Sequence, residues 1–169
     1  MPDFQSFAGR SVTNLGFDYG TDLELIEGEN LMAIEQHKII VTRLFKELWL
    51  QGNLSIVDEL VADDYVLHHC LFPSGCQGLK QAVAMMRDTF PAFGGRVDDL
   101  ITEGDRVACR WVRYSLHEGE FMDTPATGQE VTIKGISIYR LVDYKVVEEW
   151  LEIDLFDLLR QIGAITMPK

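Results

Sequence analysis

Val146-Val147-Glu148-Glu149-Trp150-Leu151-Glu152-Ile153-Asp154 runs without a linker into Leu155-Phe156-Asp157-Leu158-Leu159-Arg160-Gln161-Ile162-Gly163. The first run reads as a strand and the second as a short helix that stops at a glycine. Alternation along the strand puts Trp150, Glu152 and Asp154 on one face and Leu151 and Ile153 on the other. A carboxylate that has a second carboxylate and a tryptophan for neighbours is raw material for a general base, because like charge and desolvation raise its pKa. Asp154 also stands directly before the helix, where aspartate is a favoured N-cap and backbone N–H groups lower its pKa instead. From the residues alone, the cap is the favoured role.

Strands dominate the region just before this segment. Asp98 to Glu103, Arg106 to His117, Glu130 to Leu141 and Lys145 to Asp154 are separated by Gly104-Asp105, by the loop Glu118 to Gln129, and by Asp143-Tyr144. Helical periodicity comes earlier. From Asn30, Leu31, Ile34, Val41, Leu44, Phe45 and Leu48 recur at three- and four-residue steps or their multiples, up to Gly52-Asn53. Ser55 to Val61 is a second helix, Tyr65 to Cys70 a short strand, and Leu79 to Phe90 a third helix that ends before Pro91. Helices first and a meander of long strands afterwards mean α+β. The expected architecture is a curved mixed or antiparallel sheet wrapped around three N-terminal helices, with a central pocket. Residues 1–28 read as an arm carrying scattered aromatics, and 29–169 as one domain.

The chain has 169 residues, which suits a single core, and its net charge of -12 makes nucleic acid and anionic membrane surfaces poor partners. Three cysteines without a CxxC pair argue against a disulfide framework and for a reducing, cytoplasmic setting. The N-terminus lacks the pattern of a secretory signal, and no apolar run approaches the ~18 residues that span a bilayer. His68, His69, Cys70 and Cys76 raise the question of zinc. Adjacent strand residues face opposite ways and the paired ligand spacing is missing, so no metal is expected.

Several motifs together carry a resemblance. They are Glu103-Gly104-Asp105-Arg106-Val107-Ala108-Cys109-Arg110-Trp111, His117-Glu118-Gly119-Glu120-Phe121, Pro125-Ala126-Thr127-Gly128, Gly135-Ile136-Ser137-Ile138-Tyr139-Arg140, Glu149-Trp150, Asp154 and Leu158-Leu159-Arg160-Gln161-Ile162-Gly163. In this order and spacing, over about residues 34 to 165, the chain resembles the SnoaL-like polyketide cyclase (ester cyclase) family of the nuclear-transport-factor-2-like superfamily. The resemblance implies a cone-shaped α+β barrel with a deep apolar pocket, a homodimer, and ring closure by intramolecular aldol chemistry without metal or cofactor. It also implies Asp154 as acid/base and His68, after Tyr65-Val66-Leu67, as a second pocket residue. One departure concerns a turn. The family's Asp-Gly-Lys hairpin is Asp143-Tyr144-Lys145 here, without the glycine that tolerates positive φ.

The expected site is thus Asp154 and His68 as catalytic groups, with Trp150 as a stacking face and Glu152 as the charge beside the base. Arg110 and Trp111 lie on opposite faces of one strand, so one of them lines the cavity. Tyr65, Met86, Phe90 and His117 complete the expected wall and rim. The expected ligand is a hydrophobic, carbonyl-rich small molecule. The alternatives are isomerisation, dehydration or hydrolysis on the same fold, or a non-catalytic ligand-binding or dimerisation domain.

Overall fold

The structure, a computed structural model, describes residues 19–166, with side chains from residue 31 onward. Part of the expected arm, residues 1–18, lies outside the described residues. From Tyr19 the chain is already helical, so the first helix, α1 (Tyr19–Arg43), begins well before Asn30. It carries Gly28 internally, a substitution worth about 1 kcal/mol against alanine that a long helix tolerates. Over Leu44–Leu50 the helix widens into π-type hydrogen bonding, and the Gln51 N–H still reaches back to the Lys46 carbonyl. Such widening re-aims side chains and often accompanies functional sites; here it carries Phe45 and Trp49.

Then follow α2 (Ile56–Leu60), β1 (Val61–His68), α3 (Gly75–Thr89), β2 (Ala92–Glu103), β3 (Arg106–Leu116), β4 (Glu130–Val142), β5 (Lys145–Ile153) and α4 (Leu155–Gln161). The strands form one curved sheet in the order β1-β5-β4-β3-β2, parallel between β1 and β5 and antiparallel elsewhere. The α+β class and mixed sheet agree with the sequence. β2 starts earlier than Asp98 because the chain is extended immediately after Pro91, with register shifts at Ala92/Gly94 and Val97/Asp99 that bend the strand.

One face of the sheet packs on the helices. Val107, Cys109, Trp111, Arg113 and Ser115 of β3, Val131, Ile133, Ser137, Tyr139 and Leu141 of β4, and Glu149 and Leu151 of β5 are all buried there. They meet Leu44, Phe45 and Leu48 from the first helix and Leu79, Val83 and Met86 from α3. Most of this face is apolar; Arg113, Ser115, Ser137 and Glu149 are the polar exceptions, and two of them are ionisable.

Candidate active site

Glu149 is 3% exposed and sits on the inner face of β5, next to Leu151. The Tyr65 hydroxyl, from β1, donates to Glu149 Oε2 at 2.7 Å. Oε1 has no hydrogen-bond partner among the described residues. Burial pushes the Glu149 carboxyl up from the ordinary glutamate range, while the hydroxyls of Tyr65, Ser137 and Tyr139 pull the other way. A carboxyl balanced between these influences is suited to taking and returning a proton. The neighbours respond to the same burial. Both tyrosines are raised, and Cys109 is pushed up to about 12 by burial and by Glu149, so its thiol stays protonated.

Glu149 lines an interior cavity together with Phe45, Trp49, Trp111, Arg113 and Ser137, and with apolar walls from Phe72, Met86 and Leu151. The closed cavity is narrow, about 20 Å³, or room for about one water. A larger guest therefore displaces side chains, and Trp49, only partly buried, is one that borders solvent. Trp111 lies along the sheet and donates its indole N–H to Ser137 Oγ at 3.2 Å. Its ring lies so close over Gly135 that a Cβ there would come within 2.4 Å of Trp111 Cζ2, which explains the glycine in the Gly135-Ile136-Ser137 motif.

The expected site residues divide between the two sides of the sheet. Trp111 and Met86 line the cavity, and Tyr65 holds its acid. Asp154 does not face it. Asp154 is exposed, its side chain accepts the Asp157 N–H at 3.0 Å as N-cap of α4, and it borders an open groove on the outer face of the sheet with Arg110, Lys134 and Glu152. The physical reason is alternation. With Glu149, Leu151 and Ile153 turned inward, Glu148, Trp150 and Glu152 must turn outward. His68 follows them, stacking on Trp150 with ring centroids 5.1 Å apart and bonding Glu148 Oε1 at 2.9 Å. Arg110 is also outside, paired with Asp98 and Asp99. Phe90 and His117 are buried but away from the cavity. Their rings stack at 5.0 Å, and His117 Nδ1 meets Thr127 Oγ1 at 3.0 Å beneath the loop after β3. Among the described residues, no group of three or more His, Cys, Asp or Glu side chains converges as metal ligands.

The sequence reading passed over Glu149 and Arg113. The signal for Glu149 was present: the alternation that pairs Leu151 with Ile153 also places a carboxylate on that apolar face.

The family model for SnoaL-like polyketide cyclases matches residues 39–162. The chain belongs to this family. Among solved structures, IdmH from Streptomyces antibioticus, described as a candidate polyketide cyclase, is 29% identical, with a TM-score of 0.65 over 76% of this chain and 99% of its own. AclR from Streptomyces galilaeus, described as a candidate hydroxylase, is 27% identical, with a TM-score of 0.69 over 79% and 99%. A candidate SnoaL-like polyketide cyclase from Jannaschia sp. CCS1 is 24% identical, with a TM-score of 0.69 over 78% and 94%, a likeness of fold alone. No curated protein matches the chain. No helix among the described residues is long and apolar enough to cross a membrane.

Proposed function

We propose that this chain is a cyclase-type enzyme acting on a hydrophobic, carbonyl-rich small molecule, with Glu149 as the acid/base. The observation that carries this reading is the free Oε1 on the cavity wall, with Oε2 fixed by Tyr65. In the reaction, Oε1 removes a proton from a carbon between two carbonyls. The resulting enolate carbon attacks a ketone carbon of the same molecule to form the ring bond, and the new alkoxide recovers the proton from Glu149. The aromatic wall of Phe45, Trp49 and Trp111 suits a flat substrate.

The test sets the inner acid against the outer one. With a panel of aromatic poly-β-ketones followed by mass spectrometry, Glu149→Gln should lower turnover by about 10²-fold or more. Asp154→Asn should retain turnover and also fold, since asparagine caps a helix as well as aspartate. The reverse pattern would move the site to the outer groove beside Asp154.

The expected homodimer finds support on the outer face. Ile101, Ala108, Ile138, Trp150 and His68 are register partners in a row across all five strands, and Ile101 is 69% exposed. Arg96, Arg106, Arg110, Lys134 and Arg140 offset most of the charge of Asp98, Asp99, Glu103, Glu148, Glu152 and Asp154 around the row. On a chain of net charge -12, a face whose acids are mostly offset by bases lets a second copy approach with little repulsion, as the contact of one patch with itself across a two-fold axis requires.

A further inference from the structure

The cavity holds a second ionisable group that the proposed proton transfer does not use. Arg113 is 2% exposed, lines the same hollow, and has Nε and Nη2 without hydrogen-bond partners among the described residues. None of the ion pairs among those residues includes it. Its guanidinium lies over the Trp49 ring at 5.5 Å, and its charged neighbour is another cation, Arg87, which itself bonds the Leu50 carbonyl. Burial and Arg87 lower its pKa only to about 10, so it stays charged at neutral pH. An uncompensated buried guanidinium is strongly unfavourable unless something supplies the missing anion. Planar guanidinium donors match a carboxylate edge to edge.

Register separates the backbones of Arg113 and Glu149 along the sheet. Glu149 is level with Tyr139 and, through it, with Val107, while Arg113 lies six positions further along β3, roughly 20 Å at ~3.3 Å per residue. Trp111 and Ser137 lie between the two. The lining of the hollow thus sets an acid and an unpaired cation at different levels of the sheet, with aromatic walls between them.

We infer that the ligand of this cavity is an elongated, flat, apolar molecule bearing a free carboxylate, seated on Arg113 with its body against Trp49 and Trp111. The inference rests on the reading of the cavity as the reaction site and adds the substrate's charge: a free acid in preference to its ester.

Isothermal titration of the full chain with 2-naphthoate and with methyl 2-naphthoate tests it. The carboxylate should bind at least tenfold more tightly than the ester. Arg113→Met should erase that preference without lowering Tm, since it removes an unpaired buried charge. Arg113→Lys should keep part of the preference and stands as the second variant if the methionine form does not fold. Equal binding of acid and ester, no binding of either, a preference that survives in Arg113→Met, or one undiminished in Arg113→Lys overturns the inference. Failure here with Glu149→Gln still silencing turnover leaves the enzyme reading intact; the opposite outcome leaves an acid-binding pocket without the proposed chemistry.

Discussion

Glu149 carries two consequences that can be separated by pH. Burial, the largest influence, raises its folded-state pKa above the unfolded value of 4.5. A carboxyl raised in this way favours the folded state below its unfolded pKa and loses that advantage as pH climbs through the folded value. Removing the charge should therefore matter more at high pH. Glu149→Gln is expected to melt at or above the wild-type temperature, with a difference that widens from about pH 4.5 upward; a constant offset across the titration would contradict a raised pKa. Gly135 makes a different kind of demand. A methyl group there meets the rigid, buried Trp111 ring and the Glu152 carbonyl at 2.6 Å. Gly135→Ala should destabilise by about 1–3 kcal/mol and change Trp111 fluorescence, read by denaturant titration.

Among the elements, the β4–β5 hairpin is a place where local sequence conflicts with local geometry. Asp143 and Tyr144 have φ of 48° and 59°, the left-handed pair that a two-residue turn between twisted strands requires. Aspartate tolerates this conformation, whereas a tyrosine is strained there by about 1–2 kcal/mol. Its ring partly offsets the strain by contacting His37, with centroids 6.1 Å apart. Tyr144→Gly should raise Tm by ~2–4 °C, after allowance for glycine's greater freedom in the unfolded chain; scanning calorimetry decides it. The π-type segment acts the other way. It is an irregularity that brings Phe45 and Trp49 to the cavity wall.

For the whole molecule, the sheet separates two surfaces of different character. The inner face encloses Glu149 and Arg113, while the outer face shows an apolar row among charges of both signs. Ile138→Glu adds a carboxylate to the middle of that row, 38% exposed, without touching the cavity. It should turn the proposed dimer into monomer in sedimentation velocity runs while leaving the fold unchanged by circular dichroism. A monomeric wild type would remove the basis for that surface.

The chain's own pattern was enough for the class and order of elements, because strand alternation and helical spacing are local periodicities, and hairpin glycines and Pro91 mark where they stop. It also showed that Trp150, Glu152 and Asp154 share a face and that Asp154 suits a helix cap. Which face turns inward is not a local property. That depended on β5 lying between β1 and β4, where Tyr65 and Tyr139 could solvate a buried Glu149, leaving Asp154, His68 and Trp150 outside. Arg113 was equally hidden, since a charged residue mid-strand ordinarily reads as solvent-facing. Only packing against Trp49 and the first helix showed that its charge has no partner among the described residues.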